Sequence, residues 1–418
     1  MIIFRPFARL LSLTLAVSYC YLGYVDVLGP FSLGVISVFF LFLIFVSLQM
    51  QNPRMPIPSI FLILTLICMV CIWLDLAINN EFRLNSVQQF LTPIALFFCS
   101  LGIIYYLNFT KFYLLFFVSL ILFSSLIALL QGLDVNLAWD LRYAFPTSTD
   151  IAVENQLRLK EKPSGLSFYA VQLGYQLASA GCLLLIINGL YKTNRMQKFV
   201  KYSFIFLLAA AAIGKNLSSM LSLIAMLFIF FNTQGSLKIR PNHLIIGLLL
   251  IIGLIFSPIW ERIVDMDASM LSRITFLIVG IILLANNPFG IPITDTYQAK
   301  LEVVNGLFGA GTFSLLEYIL ETSFHNSFLN VGVQLGWLGF SLYIFLYLKM
   351  MHIYYSFYKK NSKKISIMGS VGFAFLFGYG IQCITHNSGP LTMDPYFWIV
   401  NGLLLGIISE LKRKEQRA

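Results

Sequence analysis

Residues 60–78, IFLILTLICMVCIWLDLAI, carry one charge, Asp75, in nineteen positions. At 1.5 Å per residue, a helix of that length matches the roughly 30 Å hydrocarbon core of a bilayer. Comparable runs recur along the whole chain. Hydropathy places about twelve spans, at 7–26, 32–49, 57–78, 88–107, 112–131, 167–190, 200–214, 217–232, 242–259, 327–348, 366–384 and 394–410. With 58% hydrophobic and 11% charged residues, the chain has too little polar surface to cover a water-soluble fold of 418 residues. In lipid every backbone N–H and C=O must be satisfied internally, so long apolar runs become helices. A membrane barrel would instead alternate apolar and polar residues in segments of about ten. The expected class is all-α, a polytopic integral membrane protein forming a single membrane domain over 1–418. The first run follows Arg5 and Arg9 as a signal peptide would, but shows no small-residue cleavage site and is expected to be kept as a span.

Charge orients the spans. About 19 of the 28 basic residues fall in loops on one side, among them Arg5, Arg9, Arg54, Lys111, the run YKTNRMQKFVK, Lys238, Arg240, Lys359 to Lys364 and the tail KRKEQRA. Only Glu410 and Glu415 accompany them. The other side holds about 9 basic and 16 acidic residues. The positive-inside rule makes the basic side cytoplasmic, with both termini there. The net charge of +10 is thereby spent on topology, and nucleic-acid binding is not expected.

The inner loops are short and two outer ones are long, 132–166 and 260–326. Long ordered loops in a compact protein usually carry function. The second contains SRITFLIVGIILLANNPFGIP, Ser272 to Pro292. Its apolar stretch is about a dozen residues, short for a crossing. Parity also requires the chain to enter and leave this segment on the same face. The expectation is a helix at 272–286, interfacial or packed on the bundle, ended by Asn287-Pro288 and Gly290.

Four histidines are present. His243 and His352 fall on the cytoplasmic side. His325 opens a helix whose dipole favours the neutral imidazole, the form a general base requires. A helix-capping role is the alternative. His386 and Asp394 lie in a second outer segment, THNSGPLTMDPYFW, where the carboxylate would orient an imidazole or bind sugar. Cations on the outer face run against the prevailing charge. Lys215, on a short turn in AAAAIGKNLSSMLSL, suits a phosphate as a point charge, or else snorkels to water. Arg273, at the start of the loop helix, suits bidentate phosphate binding, or pairs with Asp267. Arg262, Arg158 and Lys162 are weaker candidates of the same kind. The turn Pro163-Ser164-Gly165 lets backbone approach a ligand, or joins loop to helix. The DxD at Asp265 and Asp267 is a weak metal signal, and Cys68 with Cys71 forms a CxxC inside a span without a second pair. No metal or cofactor is expected, and the six cysteines read as small buried hydrophobes.

Four segments stand in order: the basic-Pro-Ser-Gly turn at Lys162 to Gly165, GKNLSSMLSL, SRITFLIVGIILLANNPFG, and HNSFLNVGVQLGWLGF with Gly332, Gly336 and Gly339. Together they resemble the O-antigen polymerase and O-antigen ligase family over residues 162–340. Departures are Ser218-Ser219 where the family often has Ser-Arg, Lys162 where many members have Arg, and LSFYAVQ without the acidic-Pro pair. The resemblance implies a bacterial inner-membrane glycosyltransferase with a periplasmic site. Its donor is an undecaprenyl-diphosphate-linked oligosaccharide, its surroundings membrane lipid, and a chain-length regulator protein its expected partner. It implies His325 as base, Asn326 or Asp394 positioning it, and Lys215, Arg273, Lys162 and Arg262 as diphosphate ligands. Polymerisation of repeat units is the expected reaction. Transfer of polymer to lipid A–core is the alternative within the family, and a flippase or other secondary transporter the alternative outside it. Enzymes using such donors often place an acid near the outer end of the first span, which keeps Asp26 among the candidates.

Overall fold

A computed structural model describes residues 4–22, 26–28, 31–53, 55–107, 109–145, 158–160, 162–214, 216–234, 268–309, 319–320, 323–392 and 394–417. The described chain is helical apart from one small antiparallel hairpin, β1 (Asp26–Leu28) with β2 (Phe31–Ser32). The helices are α1 (Phe4–Val17, continued by a wider turn over Ser18–Leu22), α2 (Leu33–Gln51), α3 (Ser59–Asn79), α4 (Leu84–Tyr106), α5 (Thr110–Gly132), α6 (Asn136–Tyr143), α7 (Ala170–Leu190), α8 (Asn194–Ile213), α9 (Leu217–Thr233), α10 (Ala268–Asn286), α11 (Thr296–Phe308), α12 (Ser327–Tyr358), α13 (Lys363–Thr385) and α14 (Pro395–Glu415). Eight are long and apolar enough to cross a membrane: α2, α3, α4, α5, α7, α8, α12 and α13. Helices α1, α9 and α14 occupy three more of the expected spans. The expected span at 242–259 lies outside the described residues.

The apolar faces explain the layering. α7 is buried nearly all round, from Gln172 to Ile187, and forms the centre of the bundle. α14 packs along α4, with Gly402 against Phe97 and Ser100. α2 and α3 each leave one apolar side exposed, including Phe39, Leu62, Leu66 and Trp73, as helices facing lipid do. All six cysteines are buried and free.

The basic residues gather at one end. Arg9 donates to the Leu107 carbonyl at 2.6 Å, Lys111 lies over Tyr191, Lys412 over Phe357 and Arg413 over Tyr105. The N-termini of α4, α7, α9 and α14 point to the opposite end, and so does the start of the long arm of α12 at Gly336.

α12 differs from the single span expected at 327–348. It is broken at Gly336, where φ is +72° and ψ −168°. Residues 327–335 fold back along the longer arm: the Phe328 ring lies 4.7 Å from that of Tyr343 and 5.6 Å from Tyr347, and Ser327 Oγ is 3.1 Å from the Tyr343 hydroxyl. The reversal is built by the segment after α10. Pro288 accepts from Trp337 N at 2.9 Å, and Ile291 N donates to Val333 O at 2.9 Å. Gln334 donates to Asp75, and Asn79 accepts from Ile293 N, so the reversal is fixed to the end of α3. The longer arm, 337–358, is about 33 Å by helical rise and crosses a bilayer unaided.

The expected helix at 272–286 is present as α10, beginning at Ala268. It runs beside the short arm of α12 in the same direction. Phe276 meets His325 at 5.0 Å between rings, the Gly280 position faces Phe324 and Leu329, and Leu284 reaches Gly332. Phe276, Val279, Leu283 and Leu284 are buried there, while Ile274, Leu277, Ile278 and Ile281 stay exposed. The helix is thus packed on the bundle with one apolar face outward.

Candidate functional site

Three segments meet at the end opposite the basic residues. The loop 386–394 joins α13 to α14, the turn 323–326 enters α12, and Asn216 opens α9. Asn387 Nδ2 donates to Ser323 Oγ, and Gly389 packs on Ser327 and Tyr343. His386 is buried and hydrogen-bonded to Ser218 Oγ at 2.7 Å. Ser218 Oγ also lies 3.3 Å from Gln382 Oε1 and 3.1 Å from Asn216 Oδ1, within reach of its one proton. Asn216 caps α9 by accepting from Ser219 N at 3.2 Å, and Gln382 Nε2 donates to Ser219 Oγ at 3.1 Å. Tyr175 completes this patch, its ring edge-on to His386 at 6.2 Å and its hydroxyl donating to the Ser388 carbonyl. The Ser218-Ser219 pair is therefore wired to His386 through neutral polar groups.

This meeting point is recessed. Gln89 donates to the Leu391 carbonyl at 2.7 Å, and Pro93 lines the same small cavity as Asp394 and Pro395. α4 begins at Leu84, nine residues before Pro93, and Gly336 lies nine residues beyond Ser327. Both intervals correspond to about 13 Å of helical rise. The end of α3 and the α12 reversal, tied together through Asp75 and Asn79, thus make a rim about that far along the helices from the level of Pro93 and Ser327.

The candidates divide clearly. His325 is half-buried at the mouth of α12, edge-on to Phe276. Asn326 is the N-cap of α12, its Oδ1 accepting from Phe328 N at 3.0 Å and Leu329 N at 3.1 Å. That carboxamide oxygen is committed to the helix, and it fixes the backbone of the neighbouring histidine. Arg273 lies on α10 three residues before Phe276, one turn from the residue that touches His325. Lys215, Arg262, Asp265, Asp267 and His243 lie outside the described residues. Asp26 opens β1. Lys162 and Arg158 are exposed.

Asp394 caps α14, with Oδ1 accepting from Tyr396 N at 3.3 Å and Oδ2 from Phe397 N at 3.2 Å. Burial pushes its pKa up to about 8, against the opposing pull of those two amides. Both carboxyl oxygens accept amides of the first turn, so the side chain is committed to capping α14, a role asparagine fills as well. Asp394→Asn is accordingly expected to keep activity and stability near wild type. Asp394→Ala is expected to lose about 1 kcal/mol from the missing cap. Thermal unfolding in detergent, run beside an activity assay, checks both.

The Pro-Ser-Gly turn is buried and fully tied. Gln131 Oε1 accepts from Ser164 N at 3.0 Å and Gly165 N at 2.9 Å, and Leu166 N donates to Ser124 Oγ at 3.0 Å. Gly165 adopts φ +61°, and a Cβ there would stand 2.3 Å from the Ser124 carbonyl. The close approach expected of this turn is made to α5 of the protein itself.

Two cations missed in the sequence prove to be buried. Arg142, on α6, is fully inaccessible and donates to Ser164 Oγ at 3.1 Å, Phe145 O at 2.9 Å and Phe168 O at 3.0 Å. Burial lowers its pKa to about 10, which still leaves the guanidinium charged. Lys300, on α11, donates to the carbonyls of Ile319 at 3.2 Å and Leu320 at 3.3 Å and lies 4.9 Å over the Phe324 ring, directly before His325. Both sit on the acidic side of the chain, the same counter-distribution signal that singled out Arg273. Their burial depends on partners distant in sequence.

Burial lowers the Lys300 pKa from 10.5 to about 8. The unfolded chain therefore binds more protons between those values, so stability rises with pH from about 8 to about 10.5. Below pH 8 both states are protonated and this contribution is flat. Lys300→Met is expected to remove the rise, read from unfolding midpoints across that pH range.

A groove of about 400 Å³ opens beside this site between α10, α12 and α13. Leu277, Ile281, Phe340, Ile344 and Leu348 are among the apolar residues lining it, and Asn326 is the polar residue at its margin. Compared with models of known protein families and with curated proteins, the chain matches none.

Proposed function

We propose that the chain is a membrane glycosyltransferase that polymerises polyprenyl-diphosphate-linked oligosaccharide repeat units at the outer face of a bacterial inner membrane. The observation that carries this reading is the apolar groove ending at Asn326, next to the half-buried imidazole of His325. An isoprenoid laid in that groove gains about 0.8 kcal/mol per buried CH₂ and brings its diphosphate toward His325 and the start of α10. The sequence resemblance points to the same donor class. The charge asymmetry of the two ends supports cytoplasmic termini and a periplasmic site.

The donor carries its own leaving group. The acceptor hydroxyl oxygen forms a bond to the anomeric carbon as that carbon's bond to the diphosphate oxygen breaks. The bonding pair leaves with the diphosphate and the hydroxyl proton passes to the His325 imidazole. In-line displacement inverts the anomeric centre. Arg273 and Lys215 are the cations placed by sequence to stabilise charge on the departing diphosphate. Lys300 and Asn326 hold the backbone on either side of His325 and so set where the imidazole stands.

The test is reconstitution of purified protein in liposomes with lipid-linked repeat units and no ion gradient. A ladder of products supports polymerisation. Transfer that occurs only when lipid A–core is added identifies a ligase. Movement of the lipid-linked unit across the bilayer without any new glycosidic bond overturns the enzyme reading in favour of a transporter.

A further inference from the structure

The tripeptide His-Asn-Ser occurs twice, at His325–Ser327 and His386–Ser388. The fold brings the two copies side by side through the Asn387–Ser323 hydrogen bond and the packing of Gly389 on Ser327. The first copy opens on the apolar groove and the α10 helix. The second opens on different chemistry. Its Ser388 Oγ is 3.3 Å from the Tyr169 hydroxyl, and His386 is backed by Ser218. Tyr169, Asn387 and Ser388 are partly exposed, while His386 and Ser218 are buried behind them.

We propose that this second copy, with Tyr169 and Ser218, is the subsite for the acceptor sugar, resting on the transferase reading above. The polar side chains facing the site there are hydroxyls, a carboxamide and an imidazole, each able to donate and accept. Such a set matches a sugar's hydroxyls. An anion would call for cations, and Arg142 and Lys300, which contact Phe168 and Phe324, are both buried against backbone carbonyls. The described contacts use one of the two Asn387 amide protons, which leaves the other for a ligand. The partly exposed Tyr169 ring, edge-on to Phe168, stands beside Ser388, and flat rings pack well against the C–H faces of sugars. Asn387 bonds Ser323, two residues before His325, so the subsite adjoins the segment that carries the proposed base.

The experiment uses the full chain in detergent or liposomes, with lipid-linked repeat units as donor. The acceptor is the oligosaccharide released by mild acid from the polysaccharide of the producing cells. The double variant Tyr169→Phe/Ser388→Ala removes two partly exposed hydroxyls without touching the buried network. It is expected to raise the acceptor KM by about tenfold, the effect of losing one or two hydrogen bonds, while the donor KM stays at the wild-type value. His386→Gln, which keeps a partner for Ser218, is expected to shift the acceptor KM in the same direction in protein that unfolds at the wild-type temperature. An unchanged acceptor KM in folded double variant, or an equal rise for donor and acceptor, overturns the assignment. If the wild-type protein transfers nothing, the transferase reading falls. Calorimetric binding of the same oligosaccharide then decides the subsite: binding weakened in the double variant supports it, and binding unaffected, or undetectable in wild type, removes it.

Discussion

Replacing His325 with alanine is expected to lower polymer formation by roughly 10²–10⁴-fold, the range a positioned general base contributes, at unchanged protein level. The ring is half-buried at a helix mouth and touches Phe276 edge-on, so its removal takes little from the core. On the proposed transferase function, what it removes is the group that takes the proton of the acceptor hydroxyl. Arg273→Ala is expected to abolish polymer as well, through loss of a cation at the departing diphosphate. The two effects separate kinetically. A donor with a better leaving group than a sugar diphosphate restores part of the rate in Arg273→Ala and none in His325→Ala. Normal chain-length ladders in cells carrying either variant would remove the mechanism.

Gly336→Ala is expected to destabilise the protein by at least about 3 kcal/mol, through a backbone conformation that L-residues avoid and a direct clash. A Cβ there would stand 2.4 Å from the Pro288 carbonyl oxygen and 2.7 Å from Gly290 N. Relief requires the segment 288–290 to leave the break, and with it go the Trp337–Pro288 and Ile291–Val333 hydrogen bonds. The short arm of α12 would then be free to straighten, carrying His325 away from the loop 386–394. Gly306, on α11, has nothing within 4 Å of its Cβ position and is the control. Gly306→Ala is expected to be neutral, or stabilising by about 0.5–1 kcal/mol. Thermal unfolding in detergent reads both, and a Gly336→Ala protein with wild-type midpoint and activity would show that α12 does not reverse at that residue.

The helical class was legible because hydropathy reports directly on the solvent a segment meets. α3 and α5 stand within a few residues of where their apolar runs place them. The α12 reversal was not legible. Apolar periodicity continues unbroken through Val333, Leu335, Trp337 and Leu338, and Gly336 sits among glycines that read equally well as close helix packing. The break is imposed by residues 288–291, almost fifty positions earlier, and a local pattern carries no trace of that. Among the site residues, His325 was visible from its place before an apolar run. His386 was placed on the same face, but its connection to Ser218 spans 168 positions. The duplicated tripeptide was the available clue. Arg142 and Lys300 stood out only as cations on an acidic side, and their hydrogen bonds to main-chain carbonyls are products of the fold.

The rim about 13 Å along the helices from Pro93 and Ser327 has a consequence for product geometry. On the proposed transferase function, a saccharide that passes that rim to reach the histidines does so end-on, as a single extended strand. Lengthening then adds units at the inner tip while the finished portion moves outward. A bulky branch near the reactive end would catch on the rim, so on that reading its clearance sets how branched a repeat could be joined.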